Sequence, residues 1–166
     1  MLEILSPAGS PEGVIAAVQS GADAIYMGFG EHNARRGAKN FTDEEFADSV
    51  RYCRVRGCKV YVTLNTLAAD RELRRVAALA GRAAELGADA ILVQDLGLAR
   101  VLRSVLPDMP LHASTQMSVH NLDGVYAAAE LGMERVVLAR VVKMPRRHDI
   151  WGRWPVGVEG VVPRAR

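Results

Sequence analysis

Glu85-Leu86-Gly87-Ala88-Asp89-Ala90-Ile91-Leu92-Val93-Gln94-Asp95-Leu96-Gly97 is the stretch from which the rest of the chain can be read. A helix ends at Gly87, the residue type that closes helices most easily in the left-handed conformation. An acid follows, then an apolar run at 90–93, then Gln94 and Asp95, and a new helix begins. The junction recurs as Gln19-Ser20-Gly21-Ala22-Asp23-Ala24 and as Glu130-Leu131-Gly132-Met133-Glu134-Arg135. Helix, glycine, acid and strand in that order describe parallel strands joined by right-handed crossovers. Three copies of one junction favour a (β/α) barrel over an open sheet.

Working outward, strands are expected at 2–5, 23–28, 59–65, 88–94, 111–116 and 135–140. Ser10 with Pro11 begins a helix over 11–20 as N-cap and first helical residue. Thr42 and Glu45 form a capping box, and the helix after them carries Phe46, Val50 and Cys53 on one stripe. Asp70 is the expected cap of a helix with stripe Leu73, Val76, Ala77, Ala80 and Ala84. Asp95-Leu96-Gly97 turns into a helix reaching about 106, and Asn121 caps one that turns Leu122, Val125, Tyr126 and Ala129 inward. The fold class is therefore α/β, an incomplete TIM-like (β/α) barrel of about six parallel strands. A full barrel takes about 250 residues, and this chain has 166.

The charge divides the chain. The net charge is +2, yet residues 141–166 alone hold six Lys/Arg and two acids. The body, 1–140, is thus mildly acidic and is expected to be one partial barrel domain. Residues 141–166 contain Pro145, Pro155, Pro163 and both tryptophans and show no helical stripe. They read as an irregular basic tail, with a short strand within 156–162 at most, and as a candidate for out-of-frame coding. The body lacks the basic face that nucleic-acid binding by charge requires. No apolar run is long enough to span a bilayer, so no membrane partner is expected and the cytoplasm is the expected location. Cys53 and Cys58 are read as packing residues, one on a helix stripe and one at a strand start.

Barrel chemistry sits at the carboxyl ends of strands. Those positions are Tyr26, Gly28, Asn65, Gln94, Asp95, Ser114, Gln116 and Arg140. Amides both donate and accept hydrogen bonds, so Asn65, Gln94 and Gln116 suit a planar, hydrogen-bonding group better than proton abstraction. Arg140 is placed to clamp a carboxylate or phosphate. Alternation along a strand puts His112, Ser114 and Gln116 on one face. His112 and Asp95 are the candidates for catalysis. A Ser114–His112 nucleophile pair is disfavoured, because residues two apart on a strand project side by side. No histidine spacing makes a metal triad, so no metal ligands are assigned.

Seven motifs together carry a resemblance. They are Leu5-Ser6-Pro7-Ala8-Gly9, Gly21-Ala22-Asp23-Ala24-Ile25-Tyr26-Met27-Gly28, Asn33-Ala34-Arg35, Tyr61-Val62-Thr63-Leu64-Asn65-Thr66, Val93-Gln94-Asp95-Leu96-Gly97, His112-Ala113-Ser114-Thr115-Gln116 and Val137-Leu138-Ala139-Arg140. Over 2–140, in this order, the chain resembles the N-terminal barrel part of the U32 peptidase family, also called collagenase-like. The resemblance implies a relative of collagenase-like proteases, or of proteins supporting prephenate-dependent hydroxylation of RNA bases or oxygen-independent quinone hydroxylation. It adds Asn33 and Arg35 to the substrate-binding candidates. Gln94-Asp95 with the 112–116 stretch is more similar to the ribosomal-RNA branch than to the tRNA branch. The hydroxylation branch implies a 4Fe-4S cluster held by cysteines downstream, and prephenate, for the complete protein. Here Val141-Val142-Lys143-Met144-Pro145 stands where the family continues differently, and no cysteine follows Cys58. The family's peptidase signature falls in the same departed region. The implied partners are an RNA, peptide or small-molecule substrate of the complete form, and a second copy or a C-terminal half to complete the barrel. The alternative is a catalytically inactive half-barrel.

Overall fold

The computed structural model describes residues 3–30, 32, 41–139 and 157–159. Strands and helices alternate: β1 (Leu5–Pro7), α1 (Pro11–Gln19), β2 (Ala24–Gly28), α2 (Asp43–Arg54), β3 (Lys59–Leu64), α3 (Asp70–Glu85), β4 (Ala90–Val93), α4 (Leu96–Val105), β5 (Leu111–Ala113), α5 (Leu122–Glu130), β6 (Met133–Val137) and β7 (Gly157–Glu159). The seven strands form one sheet in chain order, β1 to β7, and each neighbouring pair is parallel. This is the partial barrel expected, with one strand more than the six counted. The backbone at 157–159 lies beyond residue 140 and still pairs with β6, Val136 opposite Val158.

Two apolar layers follow from strand alternation. One face of the sheet carries Ile25, Met27, Val60, Val62, Leu64, Ile91, Val93, Leu111, Ala113 and Val136 against the helices. The other carries Ala24, Tyr61, Ala90, Leu92 and Val137 with Leu5 and Tyr26, the interior of the curled sheet. At the repeated junction Gly87 sits at φ +97, and a Cβ there would come within 2.9 Å of the Arg54 guanidinium. The Arg54 side chain can swing aside, so it is the positive φ that calls for glycine here.

Several expected details shift. The first strand is 5–7 rather than 2–5, because the Asp23 carboxylate accepts from Ile4 N and its main chain bonds Ile4 O, so pairing with β2 begins one residue later. Asp70 is the first helical residue of α3, not its cap; the N-cap is Ala69, whose N–H donates to the Glu72 carboxylate at 2.8 Å. Buried positions on α3 include Ala83 rather than Ala84, and on α5 Ala128 rather than Ala129, with Tyr126 43% exposed. In these alanine-rich helices a methyl group marks either face equally well. The strand expected over 111–116 stops at Ala113, and a single 3₁₀ turn, Thr115–Met117, takes over. The strand expected at 135–140 is 133–137.

Candidate functional site

The carboxyl ends of β3, β4 and β5 lie at one level. Leu64 pairs with Val93 and Val93 with Ala113, so Asn65, Gln94 and Ser114 come next on three adjacent strands. Asn65 Nδ2 donates to Gln116 Oε1 at 2.7 Å and to Ser114 Oγ at 3.2 Å, and Ser114 Oγ donates to Gln116 Oε1 at 2.9 Å. Gln116 reaches this cluster through the 3₁₀ turn, which ends at Ser118 with φ 60. Ser114 is 2% exposed, whereas Gln116 is exposed and Asn65 and Gln94 are half-buried. The cluster is thus anchored in the core and open at the rim. Among the described residues the Ser114 hydroxyl is held by two amides and by no imidazole, and no general base stands beside it.

Asp95 has a different task. Its Oδ1 accepts from Leu98 N at 2.8 Å, the N-cap bond of α4, and its Oδ2 accepts from Ala68 N at 3.3 Å in the loop before α3. Both oxygens of this candidate for catalysis are engaged by backbone donors and tie two crossover loops together.

His112 lies lower in the barrel. It is opposite Leu92 and Arg135, and its ring meets Tyr61 edge-on with centroids 4.8 Å apart. Burial, with Arg135 beside it, pushes its pKa down to about 3. The imidazole is therefore neutral, and it belongs to the amino-end level rather than to the amide rim. Around it stand residues that strand-end reasoning passed over. The Glu3 carboxylate is bridged by both terminal nitrogens of the Arg135 guanidinium, and it accepts from the Tyr61 hydroxyl at 3.0 Å. Arg135 beside it holds Glu3 below the usual carboxylate range. Tyr61 was legible from its two-residue spacing to Thr63 and Asn65. Arg135 was not. A bulge between Leu111/His112 and Met133/Arg135 leaves Glu134 unpaired and turns Arg135 inward.

His32 is buried against the base of α3. Its Nδ1 lies 3.4 Å from Thr66 Oγ1 and its Nε2 3.3 Å from Arg75. A guanidinium only donates, so Nε2 is the acceptor and Nδ1 carries the proton. The candidates Asn33, Arg35 and Arg140 lie outside the described residues.

A family model described as peptidase family U32 matches residues 9–162. The chain belongs to the U32 family. The match continues into the stretch read as a tail. The chain is 37% identical over 138 residues to a tRNA hydroxylation protein P1 of Bacillus subtilis, covering 83% of this chain and 33% of that protein. It is 35% identical over 143 residues to a 23S rRNA 5-hydroxycytidine synthase of Escherichia coli, covering 86% of this chain and 21% of that protein. It is 32% identical over 149 residues to a collagenase of Porphyromonas gingivalis, covering 89% of this chain and 35% of that protein. The chain thus spans about a third or less of these curated relatives. The solved structure of the U32 peptidase Mk0906 superposes with a TM-score of 0.76 at 19% identity, over 96% of this chain and 68% of that one, a likeness of fold.

The iron–sulfur cluster implied for some U32 proteins does not fit the cysteines present. Cys53 and Cys58 are buried between α2 and the outer face of the sheet, on the side away from the amide rim. Burial holds both as thiols, Cys53 pushed up to about 12, whereas a cluster requires thiolates. Among the described residues no group of three or more His, Cys, Asp or Glu is placed to hold a metal ion. Among them, too, no helix is long and apolar enough to cross a membrane.

Proposed function

We propose that this chain supplies the substrate-binding barrel segment of a U32 protein that hydroxylates RNA bases. The observation that carries the reading is the Asn65–Ser114–Gln116 cluster. It is neutral, hydrogen-bonded and open at the rim, and Gln116 Nε2 makes no hydrogen bond among the described residues. Amides in that setting suit the edge of a planar base, which offers donors and acceptors side by side. Gln94, between Asn65 and Ser114 by strand order, extends the same surface. Two of the relatives above bear names of tRNA and rRNA hydroxylation, and this supports the RNA reading over the collagenase one. An RNA substrate also supports a cytoplasmic location.

The chemical step is not assigned to this cluster, because among the described residues Ser114 has no base and His112 sits at the other level. A 4Fe-4S cluster and prephenate would belong to the complete protein, with cluster ligands other than Cys53 and Cys58. The test uses the complete protein that contains this segment, restored to cells lacking it, with RNA nucleosides read by mass spectrometry. Asn65→Ala with Gln116→Ala is expected to lower the hydroxylated nucleoside at least tenfold while protein level holds. Unchanged hydroxylation, or loss of peptide cleavage instead, overturns the reading.

A second reading, a catalytically inactive half-barrel that needs a partner, is favoured by one observation. The sheet order begins at β1 and ends at β7, so among the described residues two strands keep one side each.

A further inference from the structure

At the carboxyl-end rim, Gln116 has its polarity fixed by its neighbours. Its Oε1 accepts from Asn65 Nδ2 at 2.7 Å and from the Ser114 hydroxyl at 2.9 Å. A carbonyl oxygen has two lone pairs, so this one is saturated. The Ser114 hydroxyl has a single proton and gives it to Gln116, while its oxygen accepts from Asn65 Nδ2 at 3.2 Å. The three side chains close a triangle. What Gln116 keeps for anything outside it is its NH2 group, two donors and no acceptor.

The backbone holds the same residue from below. Met117 N donates to Ser114 O at 2.9 Å and Ser118 N to Thr115 O at 3.1 Å, which makes the 3₁₀ turn. Ser118 closes the turn at φ 60, and beside it Val119 O accepts from Ala139 N at 2.8 Å, pinning the segment to the end of β6. Gln94 is the contrast. It is half-buried at the neighbouring strand end, and its amide makes no hydrogen bond among the described residues. It can turn either its oxygen or its nitrogen to a ligand, so it meets a donor and an acceptor alike. Telling the two apart takes an amide that is held from turning over, and Gln116 is that amide.

Resting on the nucleobase reading above, we infer that Gln116 is the specificity-determining contact of the rim and that it recognises a hydrogen-bond acceptor on the base, a carbonyl oxygen or an unprotonated ring nitrogen. An exocyclic amino group in that place would set donor against donor and leave both unpaired, a mismatch that sites built on hydrogen bonds reject strongly.

The experiment exchanges the outward group. The complete protein that contains this segment is restored to cells lacking it, and the hydroxylated nucleoside is read by mass spectrometry against protein level. Gln116→Glu keeps an oxygen for Asn65 and Ser114 to donate to, and replaces the outward NH2 by a second oxygen. Gln116→Met has a similar length and carries neither donor nor charge. Each is expected to lower the hydroxylated nucleoside about tenfold, the scale of one hydrogen bond lost with its partner left unpaired. Loss in Gln116→Met with hydroxylation kept in Gln116→Glu would mean that the outward atom is an acceptor. Loss in Gln116→Glu alone would mean that the new charge, and not the missing donor, is at work. Either result, or no loss in both, overturns the proposal. Asn65→Ala with Gln116→Ala, run beside them, keeps the two readings apart. If that pair lowers hydroxylation and Gln116→Glu does not, the nucleobase reading stands and the donor assignment alone falls. If that pair leaves hydroxylation unchanged, the nucleobase reading falls and the donor assignment with it.

Discussion

His112 shows how one side chain can look functional in sequence and be placed elsewhere in space. Its alternation with Ser114 is real, and both are buried. Yet two residues of rise in a strand amount to about 7 Å, enough to move it from the amide rim to the Tyr61–Arg135–Glu3 level. There, burial and Arg135 hold its pKa at about 3, against an unfolded value near 6.5. The unfolded chain therefore binds a proton across that window and the folded chain does not. Stability is full above the unfolded value and falls as pH drops toward the folded one. Between pH 7 and pH 5 the His112 contribution to this loss is about 2 kcal/mol. Urea titrations at the two pH values check it: the parent should lose that much more than His112→Phe. Equal losses would show that the ring takes up protons in the folded protein. Glu3 works in the same direction at lower pH, since its pKa is held down by Arg135.

At the scale of elements, what was legible is what local chemistry decides. Ser10 accepts from Gly13 N, Thr42 and Glu45 exchange both capping bonds, and Asn121 accepts from Gly124 N, each where expected. The three junction glycines, Gly21, Gly87 and Gly132, all take positive φ. The amide cluster was half legible. Alternation aligned Asn65 with Gln94 and Ser114, but Gln116 joins through a turn that alternation does not describe. The Glu3–Arg135 pair was not legible, because its partners are 132 residues apart and Arg135 faces inward only through the bulge. Asp95 belongs with the caps and gives a prediction at this scale. Asp95→Ala removes the Leu98 bond and the tie to Ala68, and should cost about 1–2 kcal/mol of stability. Asp95→Asn keeps an oxygen for Leu98 and should lose less than half of that. Thermal unfolding of the two variants measures the difference. If both are equally destabilised, the negative charge at Asp95, and not its capping geometry, is what the site requires.

For the whole molecule, the decisive fact is that a closed fold is present in part. Seven parallel strands curl in chain order, and the interior apolar layer of Ala24, Tyr61, Ala90, Leu92 and Val137 is the kind that a complete barrel covers on all sides. Glu3 and Arg135 cross that interior, joining the chain just before β1 to β6 and drawing the curled sheet inward. They do not supply backbone partners for the outer sides of β1 and β7. A strand edge with unpaired N–H and C=O groups is a template for another strand. β1 blunts its own edge with Pro7, which has no N–H to offer. β7 follows β6 without such protection from its sequence, Gly157-Val158-Glu159. The 166-residue chain on its own is therefore expected to self-associate through the β7 side. Sedimentation velocity across a concentration series should show a dimer or larger species that dissociates on dilution. Val158→Pro, which removes one strand N–H, should shift that series toward monomer without changing the helical circular dichroism. A parent chain that sediments as a folded monomer at every concentration would sink the half-barrel account. It would show that the β7 edge is already covered by the chain's own residues.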